Sequence, residues 1–243
     1  WMFMSSPIPL IIAVIVYLWL IYKVLPAFMK SRKAYELTTI IRIYNALQVI
    51  ICACFVVRHH MIGVGLLSAC TCMQPKNSET ISSENMEFLR MHYLFIFLRF
   101  FEFIETIFFI LRKKTNQVSA LHVYHHIAVV VLLWLHLKYN GGPMDNYIGI
   151  LNSSIHVIMY TYYFCSSFQS FTNITKAIKP LITTVQIIQL SVLFLHCCVA
   201  LMPSCNASKI YIIQTLNLAL LIFMFLRFFI KNFNAKKKSV KSC

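Results

Sequence analysis

The sequence predicts an all-α integral membrane protein with seven transmembrane helices. Three observations carry that reading. Of 243 residues, 59% are hydrophobic and 12% are charged, whereas a soluble domain averages about 45–50% apolar and about 25% charged residues. Seven apolar stretches, 7–29, 38–57, 88–111, 119–139, 146–165, 178–202 and 209–230, approach or exceed the roughly 20 residues a helix needs to cross the hydrocarbon core. Basic clusters follow every second stretch. The composition excludes a disordered chain, a collagen and a small disulfide-framed scaffold.

The first stretch ends in Lys30, Arg32 and Lys33. Its length, its prolines and that cluster argue against a cleaved signal peptide. The second is followed by Arg58, His59 and His60, and then by Met61–Cys70, which is apolar but too short to cross. That segment is placed at the interface or folded back against the bundle. Arg112, Lys113 and Lys114 follow the third stretch, Lys176 and Lys179 the fifth, and Lys231, Lys236, Lys237, Lys238 and Lys241 the seventh. Loops after even-numbered stretches hold little: Lys76 with Glu79, Glu84 and Glu87, then Asp145, then Lys209. Cytoplasmic loops collect Lys and Arg, so the N-terminus is expected in the lumen and the C-terminus in the cytosol. Residues 1–230 then form a single seven-helix domain and 231–243 a basic cytosolic tail. In a soluble chain the net charge of +15 would suggest nucleic acid. By position it is a topology signal with an attraction to anionic membrane lipids, and no nucleic-acid partner is expected. No repeat of fixed period, GxGxxG or GxxxxGK is present.

Ionisable residues inside membrane spans are costly and mark function by default. The third stretch carries Arg99, Glu102, Glu105 and Thr106, whose spacing puts them on one helical face. As a packing device, Arg99 would neutralise Glu102. The fourth opens with His122, His125 and His126 within one turn, and three imidazoles on one face are hard to explain as packing. His136, later in the helix and isolated, reads as interfacial. The fifth carries a polar stripe of Asn152, His156, Met159, Tyr160 and Tyr163. Such groups need a neighbouring helix or a wet cavity. The sixth adds Thr183, Gln186 and Gln189 on one face. These faces could converge on a polar chamber, with the surrounding Ile, Leu, Val and Phe offering a tunnel for a long acyl chain.

An HxxHH cluster has two chemistries. Membrane di-iron desaturases and hydroxylases use it because neutral imidazole is a good iron ligand. They need further histidine clusters. The nine histidines here are His59, His60, His92, His122, His125, His126, His136, His156 and His196, and they supply a single HxxHH box with no separate HxxxH partner. The other chemistry is metal-free, with imidazole as a base or as a nucleophile towards a thioester. A transporter is the third reading, since polar midplane residues suit that class, but it predicts inverted repeats that the sequence does not show.

Here the residues match a family. The chain resembles the very-long-chain fatty acid elongases, the ELO family of membrane 3-ketoacyl-CoA synthases. The HxxHH box is His122–His126, and the NxxxHxxMYxYY stretch is Asn152, His156, Met159, Tyr160, Tyr162 and Tyr163. TxxQxxQ is Thr183, Gln186 and Gln189, and an altered KxxExxDT is Arg99, Glu102, Glu105 and Thr106. The Lys-to-Arg change keeps charge but alters geometry. Arg32-Lys33 and Tyr44-Asn45 also sit where the family has similar residues.

The resemblance implies seven helices, six of them a barrel around an acyl-chain tunnel, in the endoplasmic reticulum membrane. It implies an acyltransferase for the first step of elongation. Long-chain acyl-CoA and malonyl-CoA give 3-ketoacyl-CoA, CoA and carbon dioxide, with no cofactor and no metal. Partners would be membrane lipids and the reductases and dehydratase of the cycle, and a homo-oligomer is compatible with it. His125 and His156 match the positions tied to acyl-enzyme chemistry, with His122 and His126 expected to orient them or to help the decarboxylation and Glu102, Glu105, Asn152, Tyr160, Tyr163, Gln186 and Gln189 in support. CoA would sit at the cytosolic mouth, where Arg112, Lys113, Lys114, Lys176 and Lys179 are candidates to hold its phosphates. The charge-derived topology leaves three lumenal thiols, Cys70, Cys72 and Cys205. Cys72 precedes Gln74-Pro75, similar to the family's Cys-Gln-Pro stretch with one residue inserted. A Cys72–Cys205 disulfide is therefore expected, with Cys70 as the substitute.

Overall fold

A computed structural model describes residues 4–61, 83–139, 143–203, 205 and 208–234, and among them every regular element is helical. The first stretch is α1 (Ile8–Trp19), a π-helical turn (Leu20–Val24) and α2 (Leu25–Met29). The wide turn lies just ahead of Pro26, whose ring lacks an N–H and crowds the preceding turn. Next comes α3 (Thr38–Met61), which buries Tyr44, Asn45, Gln48, Cys52, Phe55 and His59. Their steps of three and four trace one stripe.

The third stretch departs from the expected continuous span. It forms α4 (Ser83–Phe101) and α5 (Ile104–Leu111), broken at Glu102 and Phe103. Phe103 N–H donates to the Phe100 carbonyl at 3.1 Å and Glu105 N–H to the Glu102 carbonyl at 3.0 Å. These i→i−3 bonds tighten the backbone locally, where the buried Glu102 carboxylate meets Arg99. α5 ends in a Schellman turn: Lys114 N–H donates to the Phe109 carbonyl at 2.8 Å and Lys113 N–H to the Ile110 carbonyl at 2.9 Å. Lys113 takes φ of 54°, in the left-handed position that favours glycine.

α6 is Ala120–Tyr139, and its N-cap is Ser119, whose Oγ accepts the His122 N–H at 3.2 Å. α7 (Pro143–Ser166) opens on a proline, which suits the first helical position. α8 (Thr172–Ala200) begins before the predicted 178 and carries Pro180 inside. Lys176 and Lys179 are thus on its early turns rather than in a loop. α9 (Ile210–Phe229) runs into a second π-helical turn, Ile230–Asn234.

Among the described residues, five helical segments, Ile8–Met29, Thr38–Met61, Ala120–Tyr139, Gln169–Ala200 and Ile210–Phe233, are long and apolar enough to cross a membrane. The other two predicted spans are helical but fall outside that set: one is the broken α4–α5 pair, and α7 carries the polar stripe. Exposure is inverted relative to a soluble protein. On α1, Ile8, Ile11, Ile15 and Trp19 are each more than half exposed, while Arg99 is 1% exposed. Apolar residues on the outside and ions within are what a hydrocarbon solvent selects. The chain is a multi-pass membrane protein.

The chain forms two compact units. One takes Trp1–Thr39 and Asn85–Gly141, the other Ile40–Glu84 and Gly142–Cys243. The two units are interleaved in sequence. The first is built on α1, α2, α4, α5 and α6, with Leu10, Tyr17, Ile21, Ile96, Phe103 and Trp134 in its core. In the second, α8 packs against both α7 and α9, burying Ile150, Leu193, Leu218 and Leu221. The Met61–Cys70 segment and the lysines from 236 onward lie outside the described residues.

Candidate active site

The first unit holds the histidine cluster. His122 and His126 stand one helical turn apart on α6, their rings 4.3 Å centre to centre, and His125 lies 5.9 Å from His126. Glu105 Oε2 is 3.6 Å from His126 Nε2. One donor atom each from Glu105, His122 and His126 falls within 4.8 Å of the others, a set able to hold a metal ion. His125 is outside that set. His122 Nε2 is hydrogen-bonded to Thr106 Oγ1 at 2.9 Å, and Thr106 Oγ1 to the Tyr17 hydroxyl at 2.7 Å.

Beside the cluster, Arg99 Nη1 donates to Glu102 Oε1 at 2.6 Å, with both side chains almost wholly buried. The Arg99 guanidinium also lies 4.2 Å from the centre of the Phe95 ring. The charge is thus paired and its flat face covered, which is how a buried cation is tolerated. The predicted face of Arg99, Glu102, Glu105 and Thr106 is real, but it is bent at the α4–α5 break. His136, expected at an interface, is 6% exposed.

The second unit holds the polar stripe. His156 is 7% and Tyr160 1% exposed, with their rings 5.6 Å apart. The Tyr44 ring meets Tyr160 edge-on at 6.1 Å, and Gln48 Nε2 donates to the Tyr44 hydroxyl at 2.8 Å. Gln186 Nε2 reaches Met159 Sδ at 3.3 Å. Gln189 is buried, and among the described residues its Nε2 has no hydrogen-bond partner, as is true of Ser153 Oγ and Gln48 Oε1. Asn152 is half-buried. Tyr163, read as part of the inward stripe, is 41% exposed. It stands where the stripe turns outward near the end of α7, with its ring 6.2 Å from Tyr160.

A family model, ELO, described as the GNS1/SUR4 family, matches residues 2–241. The chain belongs to the ELO family. It is 32% identical to very long chain fatty acid elongase F of Drosophila simulans over 79% of this chain and 74% of that protein. It is 31% identical to human very long chain fatty acid elongase 4 over 98% of this chain and 75% of that protein. A very long chain fatty acid elongase of Aedes aegypti is 28% identical over 98% of this chain, which spans 66% of the mosquito protein's length.

Other predicted site residues of this ELO chain fall as follows. Arg112, Lys113 and Lys114 close α5, and Lys176 and Lys179 are exposed on α8. Partial burial, and then the charge of Arg112, lower the Lys114 pKa from its ordinary value. Cys205 is disulfide-bonded. Cys72 and Cys70 lie outside the described residues, while Cys54, Cys165, Cys197 and Cys198 are free thiols. Sequence reasoning missed Tyr17 and Gln48. The available signal was one hydroxyl and one amide on otherwise apolar helices, since a buried polar group needs a partner. Arg42 was also missed. Its Nε and Nη2 donate to Ser167 Oγ at 3.0 Å and to the Ser167 carbonyl at 2.7 Å, tying α3 to the end of α7.

Proposed function

We propose that this ELO-family chain is a very-long-chain 3-oxoacyl-CoA synthase, joining long-chain acyl-CoA and malonyl-CoA to give 3-ketoacyl-CoA, CoA and carbon dioxide. The observation that carries this is a cluster of imidazoles, the buried His126 and the half-buried His122 and His125, beside the Glu105 carboxylate on helices otherwise rich in Ile, Leu, Val and Phe. A thioester needs such a nucleophile and base, and an acyl chain needs such walls. Family membership supports the same reading.

In this reading His125 attacks the acyl-CoA carbonyl. The C–S bond breaks, CoA leaves as the thiol with the imidazole proton, and an N-acyl-imidazole forms. Malonyl-CoA then loses carbon dioxide, and the electron pair of that C–C bond becomes an enolate. The enolate attacks the acyl carbon, the C–N bond breaks, and the imidazole takes back a proton. His156 is the partner imidazole, with His122 and His126 orienting the pair. Glu102, Glu105, Asn152, Tyr160, Tyr163, Gln186 and Gln189 support them. Arg112, Lys113, Lys114, Lys176 and Lys179 hold the CoA phosphates at the cytosolic mouth of a six-helix barrel within seven spans. The membrane is that of the endoplasmic reticulum, with the N-terminus lumenal, and the cycle's reductases and dehydratase take the product onward. No cofactor is needed. The Cys205 partner in this reading is Cys72.

Purified protein given an acyl-CoA and radiolabelled malonyl-CoA tests the proposal. Label recovered in a product two carbons longer supports it. Desaturation that depends on added iron would instead assign the Glu105, His122 and His126 donors to metal chemistry. Peptide mapping without reductant should link Cys205 to Cys72, and full alkylation of Cys72 would exclude that pairing.

A further inference from the structure

We infer that Tyr17 and Thr106 form a hydrogen-bond relay of fixed direction that holds His122 in one neutral tautomer, with the proton on Nδ1 and Nε2 as acceptor. The inference rests on the proposed acyl-transfer role of the histidine cluster. It adds a residue, Tyr17, that none of the sequence motifs contains.

The geometry lies wholly within the first unit. Tyr17 on α1 is 4% exposed and Thr106 on α5 is fully buried. The hydroxyls are 2.7 Å apart, and Thr106 Oγ1 is 2.9 Å from His122 Nε2 on α6. Both ends of the relay are held by further contacts. Phe103 stacks on the Tyr17 ring at 4.0 Å. The Ser119 cap fixes the backbone of His122. Phe109 and His126 flank the His122 ring at 5.2 and 4.3 Å.

Counting protons sets the direction. A hydroxyl has one proton to donate, and a neutral imidazole has one donor and one acceptor nitrogen. Among the described residues, the hydrogen-bond partner of the Tyr17 hydroxyl is Thr106 alone. A buried phenol proton must be placed, so Tyr17 donates to Thr106. Thr106 then donates its own proton to His122 Nε2, and the ring proton sits on Nδ1. The reverse direction would run from His122 Nε2–H to Thr106 and from Thr106 to Tyr17. It strands the phenol proton in a buried site. A doubly protonated ring would leave Thr106 accepting from both sides, with no acceptor for its own proton.

The consequence is a division of labour within the cluster. His122 Nε2 is committed and offers neither a base nor a nucleophile. The ring acts through a fixed Nδ1–H donor, the kind of preorganised group that stabilises a developing oxyanion. Base and nucleophile roles fall to His125 and His156. Tyr17 and Thr106 are positioning residues.

The test is nitrogen NMR of the protein in lipid nanodiscs with ring-¹⁵N histidine, the His122 signals being assigned by their loss in His122→Gln. The wild type should show a protonated Nδ1 and an unprotonated Nε2. Tyr17→Phe, which keeps the stacked ring, and Thr106→Val should both give mixed tautomers, while Thr106→Ser retains the wild-type pattern. With acyl-CoA and malonyl-CoA, Tyr17→Phe should lower kcat about tenfold at unchanged KM, the scale of one lost hydrogen bond. A protonated Nε2 in the wild type overturns the relay, as does an unshifted tautomer in Tyr17→Phe. Should a variant fail to fold, the wild-type spectrum alone decides. A wild type that elongates no acyl-CoA while showing the Nδ1–H tautomer refutes the proposed reaction and leaves the relay standing.

Discussion

The two units bury different polar chemistry. In the first, the buried groups are wired to one another across helices: Tyr17 to Thr106 to His122, Arg99 to Glu102, and Glu105 to His126. In the second, most of the buried polar side chains are amides and hydroxyls, among them Asn45, Gln48, Asn146, Ser153, Thr183, Gln189 and Gln214. The difference teaches that paired ions fix geometry through charge, whereas amides and hydroxyls bury hydrogen-bonding capacity without the cost of a charge.

Substitution of one imidazole in each unit is the largest break of that contrast. His125→Ala and His156→Ala should each cut elongation by about 10²-fold or more, the scale of a lost nucleophile or general base. Mass spectrometry of wild type given acyl-CoA alone should find an acyl adduct on a histidine, absent in His125→Ala. A fully active His125→Ala would end the covalent route.

The next effect is on stability. Arg99→Met strands a buried carboxylate, and breaking a buried ion pair costs about 3–5 kcal/mol. In the second unit, Tyr211→Phe removes the hydroxyl that donates to Asp145 Oδ1 at 2.7 Å. One hydrogen bond to a charged group is worth about 1.5–3 kcal/mol. Thermal unfolding in detergent should therefore rank Arg99→Met as the more damaging. The reverse ranking would deny that the first unit depends on its network.

Charge reversal at Lys113 and Lys114 addresses substrate capture rather than fold, since both side chains are exposed. The Michaelis constants for both CoA substrates should rise severalfold, with kcat little changed, and more so at low ionic strength because exposed charges are screened by salt. Unchanged constants with normal insertion would leave these lysines a topology role alone.

The smallest effect is at the cap of α6. Ser119→Ala removes the acceptor for the His122 N–H and should cost about 1 kcal/mol. It sharpens the comparison because it loosens the histidine helix without touching an imidazole. A drop in kcat larger than the stability loss would show that the cluster depends on its backbone anchor.

Much of the site was legible as spacing. His122 and His126 fall on one face because four residues make about one helical turn, and the structure brings their rings together. Arg99 and Glu102 were legible as a pair for the same reason, and they meet. The α4–α5 break was not legible, because Phe103 has no breaker chemistry and local propensity does not register a buried carboxylate. The outward turn of Tyr163 was hidden for a related reason. Stripe membership is a matter of angle, and whether the last turn of α7 is covered depends on what packs there.

The sequence by itself determined the solvent, the helices and the family. Those follow from local quantities: apolar length, charge placement and residue spacing along a single chain. Only the tertiary structure decided which polar groups found partners. Tyr17 and Thr106 are 89 residues apart, and no periodicity connects them. Their bond exists because α1 and α5 pack in one unit, where a buried hydroxyl must be satisfied by whatever side chain folding brings within reach.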